Sequence, residues 1–520
     1  MLKDIIFLTQ DRKIKLRVPL LVCSIYIKFV LANFFPTLVT TQHKKQIAMY
    51  NIKFGTDGWR AVIGDGYTFE NVSRLTEAVS KWLHQNFKNP TIVIGYDCRF
   101  NGRLFTELVS KILASKDIKV ILQKTFTSTP AVSYAVVNLK ADLGIVITSS
   151  HNPPEYSGYK LKGNHGGPLQ EEYLREIEAL IEAESDDNIS ALNFDYFVET
   201  QQIKHIDLDK LYVDNVRQNF DMLAFNKTEF EFAFDSMMGS GQKIMHDILP
   251  HIYHVNQEVN PTFHGIAPEP LAKNLQLFSN FIQAEGHISC GLAVDGDADR
   301  IALMDSKGNY IDSHHTILLL IHYLAGYKKE KGKIVTGFSS TTKVEALAQH
   351  YGLNVQRVKI GFKQISEVML KEKVLVGGEE SGGIAIAGHI PERDGIWNGL
   401  AIWQWMIETG KSIEELIQEI YDITGSFAYQ RNDLKITDEL KQKVINHCQN
   451  TNIDAFEQEK VLRLETLDGF KYFLNKDEWV MIRPSGTEPV LRTYAEGKTA
   501  ERAKELIQIL ERFVFSFDTK

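Results

Sequence analysis

Leu143-Gly144-Ile145-Val146-Ile147-Thr148-Ser149-Ser150-His151-Asn152-Pro153 is the stretch on which the fold turns. A short apolar run rich in β-branched residues passes directly into a polar loop, and Pro153 and Pro154 keep that loop from becoming a helix. A strand buried on both faces of an α/β sheet reads this way. The same transition recurs three times downstream. Residues 291–294 lead into Asp295-Gly296-Asp297-Ala298-Asp299-Arg300, and residues 374–376 precede Gly378-Glu379-Glu380-Ser381-Gly382-Gly383. A strand around Val480 precedes Arg483-Pro484-Ser485-Gly486-Thr487-Glu488-Pro489. Amphipathic or charged helical patterns at 70–87, 171–184, 342–350, 437–450 and 500–513 alternate with further strands at 91–95, 333–336 and around Val461. The pattern lapses at 422–431. The chain therefore reads as α/β. The expected boundaries are 49–190, 191–310, 311–425 and 426–520, with the acidic stretch 184–188 near the first of them.

At 520 residues the chain is too long for one ordinary core. Hydrophobic content of 44% and charged content of 24% are those of a globular protein. A net charge of −8 argues against nucleic acid as a partner. Cys23, Cys98, Cys290 and Cys448 are far apart and form no CxxC, which suits unpaired thiols in a reducing, cytoplasmic setting. Residues 1–48 differ in character. Lys3, Arg12, Lys13, Lys15 and Arg17 precede an apolar stretch, 18–35, interrupted by Pro19, Lys28 and Asn33. It has no clear small-residue cleavage site, and it is marginal in length for a membrane span. The preferred expectation is an extension upstream of a natural start at Met49, with a membrane anchor or a specialised leader as alternatives. No membrane association is expected of residues 49–520, which would act as a monomer or homodimer.

The polar motifs carry distinct chemistries. Ser150 is a hydroxyl nucleophile that needs a base or an electrophilic partner, and no GxSxG elbow surrounds it. Asp295, Asp297 and Asp299 alternate, so an extended backbone would set three hard oxygen ligands on one side, suited to Mg²⁺. An EF-hand is excluded, because Arg300 and Ser306 stand where Gly and Glu are required. Glu379 and Ser381, among glycines, can bind neighbouring sugar hydroxyls. Arg483, Ser485, Gly486 and Thr487 form a compact anion cradle that Arg492 could assist.

In this order and spacing the four motifs resemble those of the α-D-phosphohexomutases, the family of phosphoglucomutases and phosphomannomutases. Thr148–Pro153 followed by Gly158-Tyr159-Lys160 matches the family's serine signature, and Phe54-Gly55-Thr56-Asp57-Gly58 matches its N-terminal motif. The resemblance implies three similar mixed α/β domains and a different, smaller α+β C-terminal domain around a central cleft. It implies that Ser150 carries a phosphoryl group, that Lys160 or His151 moves protons, and that Arg60 lies near the reacting phosphate. Ser150, Asp295, Asp297 and Asp299 would hold one Mg²⁺, and Arg300 would contact a phosphate unless it only forms a salt bridge. Glu379 and Ser381 would read the sugar, and the Arg483 loop would hold the other phosphate. Asp97-Cys98-Arg99 resembles a structural D-x-R motif of the family. Gly361-Phe362-Lys363 and Asp394-Gly395-Ile396-Trp397 resemble the phosphoglucomutase branch, and Gly383 replaces a histidine usual in mannose- and glucosamine-directed members.

The expected reaction interconverts glucose 1-phosphate and glucose 6-phosphate through a hexose 1,6-bisphosphate, with glucose 1,6-bisphosphate as activator. Mannose specificity, dual specificity or, less readily, glucosamine specificity are the near alternatives, and a non-catalytic phosphosugar-binding protein is the distant one. A phosphatase using an aspartyl nucleophile is disfavoured, because Ala298 and Asp299 interrupt the D-x-D-G-[TV] string.

Overall fold

The computed structural model describes residues 2–9, 12–19, 50–484 and 490–518. Two compact units divide the chain at Asn51. In the first, Leu2–Thr9 and Arg12–Pro19 pair antiparallel from Leu2↔Pro19 to Thr9↔Arg12. The apolar stretch beyond Pro19 and the expected start at Met49 lie outside the described residues, as do Ser485, Gly486 and Thr487 of the anion cradle. Among the described residues no helix is long and apolar enough to cross a membrane.

The second unit opens with a six-stranded sheet. Leu143–Ile147, Thr91–Tyr96, Lys119–Leu122 and Ile203–His205 run parallel, and Tyr156–Gly163 and Trp59–Val62 add an antiparallel edge. The strand period of two decides which residues meet which layer. Ile92, Ile94, Ile145 and Ile147 face one core, with Leu75 and Val79 of Phe69–Asn86 and Phe105 and Val109 of Gly102–Ser115. Val93 and Val146 face the other, under Val132 and Val136 of Thr129–Asn138. Helices on both faces are what parallel strands require.

The plan repeats twice. Tyr253–Val255, Phe232–Asp235 and Cys290–Val294 run parallel and meet antiparallel Ile301–Met304 and Tyr310–Ile311. Val355–Val358, Lys333–Gly337 and Val374–Gly378 run parallel and meet antiparallel Ile384–Ile386. In all three sheets the polar motif is the turn between the last parallel strand and its antiparallel partner. That common position places three functional loops at equivalent strand ends. A fully antiparallel sheet of Ala428–Lys435, Val490–Gly497, Trp479–Pro484, Phe470–Phe473 and Arg463–Glu465 follows, backed by Asp438–Asn450 and Ala500–Phe515.

Several details differ from the sequence-based expectation. The helix expected over 171–184 ends at Ala179, because Arg74 Nε takes the Glu182 carbonyl and Glu70 takes the Ser185 amide and hydroxyl, drawing the tail onto a neighbouring helix. Residues 422–431 contain the end of Ile413–Thr424 and the start of the edge strand Ala428–Lys435, whose half-exposed side chains blur its alternation. The second and third sheets share one continuous core. Gly395–Thr409 bridges them: it is apolar nearly all round, and Trp403 stacks on Phe232 at 4.4 Å while Trp397 meets Phe220 at 4.8 Å.

Candidate active site

Ser150 sits in the turn after Leu143–Ile147 in a left-handed conformation, φ 53°, which a non-glycine residue adopts only when its surroundings impose it. Arg99 supplies the constraint. Its buried guanidinium donates to the carbonyls of Ser150 and Asn152 at 2.6 Å, Pro153 at 2.7 Å and Tyr156 at 3.1 Å. Asp97 holds Arg99 Nε at 3.2 Å and accepts from Thr148 Oγ1 at 2.5 Å, and that Oγ1 in turn accepts from the Ser150 amide. The D-x-R motif is thus the splint of the serine loop. Burial pushes the Asp97 carboxyl up to about 6, with Arg99 and Thr148 opposing.

The splinted hydroxyl faces the second sheet. Ser150 Oγ donates to Asp295 Oδ2 at 2.6 Å and lies 3.3 Å from His151 Nδ1. Asp295, Asp297 and Asp299 converge with ligand oxygens within 4.8 Å of one another, all fully buried. They do so by a turn rather than by the expected extended alternation: Ala298 is left-handed at φ 61° and its amide donates to Asp295 O. The turn is needed because Asp295 Oδ1 folds back to accept the amides of Asp299 and Arg300, each at 3.0 Å. Asp297 Oδ2 accepts from Thr129 Oγ1 at 2.5 Å, at the N-terminus of Thr129–Asn138, where the helix dipole favours a carboxylate. The second oxygens, Asp297 Oδ1 and Asp299 Oδ1, are buried with no hydrogen-bond partner among the described residues. Bare, buried carboxylate oxygens in a hard-oxygen cluster fit a divalent cation such as Mg²⁺. Without one, burial and the two neighbouring carboxylates push Asp295 well above the usual range.

Lys160 Nζ contacts Asp57 at 2.7 Å and Asp297 and Asp299 at 2.8 Å. Burial works against its charge, but those three carboxylates outweigh it and hold the ammonium above its ordinary value. An ammonium held this way keeps its proton. His151 goes the other way. Burial, then Arg300, Arg60 and Lys160, holds it well below its usual range, so it stands neutral beside Ser150 Oγ. Arg60 is hydrogen-bonded to Asn152 Oδ1 at 2.6 Å. Arg300 pairs with Glu269 at 3.0 Å and lies 3.4 Å from His151 Nε2, leaving its buried Nε without a partner among the described residues.

The third loop joins through its backbone. Arg300 and Gly383 form a bridge, and the Ile301 amide donates to Gly382 O at 3.0 Å. Gly383 has a steric reason, because a Cβ there would run into Arg393 Cδ. Arg393 is itself buried, ion-paired with Asp57 and, at 2.8 Å, with Asp299, and its neighbour Glu392 holds Lys162 at 2.5 Å. Glu379 accepts the Gly361 amide at 2.6 Å, and burial together with Glu380 pushes it up to about 7. Ser381 is half-buried in the same turn. Lys363, a substrate-binding candidate by the resemblance, pairs with Glu171 Oε2 at 2.5 Å.

In the last sheet Arg483 and Arg492 are direct cross-strand partners, held by Asp468 at 3.2 Å and Asp433 at 3.6 Å. Sequence reasoning missed Thr129, Lys162, Glu269 and Arg393. Only tertiary contact connects them to the motifs.

Models of the phosphoglucomutase/phosphomannomutase family match the chain in succession: its alpha/beta/alpha domain I over 51–188, domain II over 210–308, domain III over 312–423 and the C-terminal domain over 440–512. A phosphoglucosamine/phosphogalactosamine mutase of Sulfurisphaera tokodaii is 30% identical over 89% of this chain and 98% of its own. The chain belongs to this family. A phosphoglucomutase/phosphomannomutase of Thermococcus kodakarensis is 28% identical over 88% of this chain and 97% of its own. The crystal structure of a candidate phosphomannomutase from Thermus thermophilus superposes with a TM-score of 0.78 at 32% identity, covering 89% of this chain and 99% of that one. As a family member the protein is an enzyme, an isomerase that works by phosphoryl transfer, and its substrate class is the phosphohexoses.

Proposed function

We propose that the enzyme interconverts glucose 1-phosphate and glucose 6-phosphate through phosphorylated Ser150. The observation that carries this is the Ser150 hydroxyl bonded to Asp295 and flanked by bare oxygens of Asp297 and Asp299. Asp295, Asp297, Asp299 and the phosphorylated Ser150 would hold a Mg²⁺ ion, whose contribution is to neutralise developing phosphoryl charge. The protein's own groups do the rest. Arg99 sets the nucleophile's position. Asp295 accepts the Ser150 hydroxyl hydrogen and His151 lies 3.3 Å from Oγ, so these are the groups placed to receive its proton, whereas Lys160 is saturated by carboxylates. Arg60 and Arg300 flank the serine loop as cations for the transferred group. Arg483 and Arg492 hold the other phosphate, and Glu379 and Ser381 read sugar hydroxyls. A hexose 1,6-bisphosphate formed at Ser150 turns over and returns its second phosphate to the serine, and added glucose 1,6-bisphosphate keeps the serine charged. The glucose reading rests on Gly361-Phe362-Lys363 and on Gly383.

An amino-hexose phosphate is the second reading. It is supported by relatives named phosphoglucosamine mutases and by the buried acid pair Glu379 and Glu380, one of whose oxygens is bare. The test supplies Mg²⁺ and a trace of glucose 1,6-bisphosphate and compares turnover of glucose, mannose and glucosamine phosphates. A preference for glucose supports the proposal, and a preference for glucosamine or mannose overturns the sugar assignment. Mg²⁺ should raise the thermal midpoint of the wild type and not of Asp297→Asn. An equal shift in both would remove the aspartate loop as the metal site.

A further inference from the structure

The last sheet has two faces. Val480, Ile482, Leu491 and Ala495 pack under its helices, so the alternate residues Trp479, Met481, Arg483, Arg492 and Tyr494 face the third domain. On the edge strand Tyr429 packs with Trp479 and Tyr494, and the period of two then puts Arg431 and Asp433 on the same face. Register agrees with that placement: Arg431 is opposite Tyr494, Asp433 opposite Arg492, and Arg492 opposite Arg483. Three guanidinium groups therefore gather at one end of a face whose other end is apolar.

One of their counter-charges is shared. Asp433 accepts from Arg431 Nε and NH2 at 2.8 Å each and also pairs with Arg492 at 3.6 Å, so one carboxylate serves two arginines. Arg483 leans on Asp468. Arg431 NH1 is 4.0 Å from Glu380 Oε1 of the sugar loop. The Tyr494 hydroxyl, fully buried beside them, has no hydrogen-bond partner among the described residues. Like charges directly opposite one another in a sheet cost stability unless an anion joins them.

We propose that Arg431 is a further substrate-binding residue, which grips the non-reacting phosphate ester together with Arg483 and Arg492, and that Asp433 is the carboxylate this phosphate displaces. The inference rests on the anion-site reading of the Arg483 loop. Arg431 makes that site three-pronged, and its approach to Glu380 connects phosphate occupancy to the sugar loop. A fork that already binds one carboxylate bidentately is shaped for two phosphate oxygens.

The experiment measures KM and kcat for glucose 1-phosphate, and binding of inorganic phosphate by calorimetry, on the full chain. Arg431→Gln should raise KM about ten- to hundredfold, the scale of one lost charge-assisted hydrogen-bonded contact, with a smaller change in kcat. Arg431→Lys should fall between. Asp433→Asn should lower KM and tighten phosphate binding severalfold, because the competing anion is gone. A purely structural ion pair would move both variants the same way, so parallel shifts refute the proposal. Arg483→Gln is the control. If it weakens phosphate binding while Arg431→Gln does not, Arg431 is no ligand. If neither weakens it, the anion-site reading fails and the proposal with it.

Discussion

Replacing Arg99 by Met keeps the side chain's apolar stem and removes only the splint. The guanidinium is almost wholly buried and serves the carbonyls of Ser150, Asn152, Pro153 and Tyr156 as well as the Asp97 carboxylate. Asn152 and Pro153 lie toward solvent, so water can replace the lost donor there. Ser150 O and Asp97 are fully buried and stay unserved. Removing one partner of a buried ion pair costs about 3–5 kcal/mol. In a first domain of this size that corresponds to a fall of about 10 °C in its unfolding midpoint. The catalytic loss should exceed the loss of folded protein, because Ser150 holds φ 53° only under this constraint, and a displacement of about 1 Å costs about a hundredfold in rate. The assay is thermal unfolding combined with turnover and Ser150 phosphorylation, all at a temperature where the variant is fully folded. Normal kcat and an unfolding midpoint within about 2 °C of the wild type would refute the splint argument.

Two further outcomes follow from the third domain. Gly383→Ala places a methyl group against Arg393 Cδ and should displace Arg393 from Asp57 and Asp299, lowering kcat about tenfold or more. Adding Arg393→Ala to Gly383→Ala should then cost little more, and strictly additive losses would show the two sites to be independent. Glu379 titrates near 7 in the folded enzyme against an ordinary 4.5, so the folded state holds the proton more tightly. Its contribution to stability falls as pH rises from about 4.5 to 7. Glu379→Gln should therefore be more stable than the wild type at pH 8, by on the order of 3 kcal/mol, with the gap closing below about pH 4.5. A stability difference that is flat with pH would place the group in water.

Much of the molecule was legible in the chain because its signals are local. A strand of β-branched residues ending in Thr148-Ser149-Ser150 declares itself within a few positions, as does the helix Phe69–Asn86, capped by Thr68. The serine, aspartate, sugar and arginine motifs are contiguous, so their order alone carries the family and the reaction class. What the chain could not show is which charges meet across domains. Lys160 reads as a mobile proton carrier in its own motif, yet three carboxylates, one far upstream and two far downstream, hold its proton in place. Asp295, Asp297 and Asp299 converge by a left-handed turn at Ala298, which their alternation did not predict. Gly383 reads as a lost ligand, and only packing reveals Arg393 above it. Arg431 sits in a stretch where the sequence pattern lapses, and strand register carries it to Arg492 and Arg483. Local pattern determines the elements and the chemistry each loop can offer. Burial and long-range electrostatics, which depend on where every other element lies, decide which of those groups is charged, held or free to act.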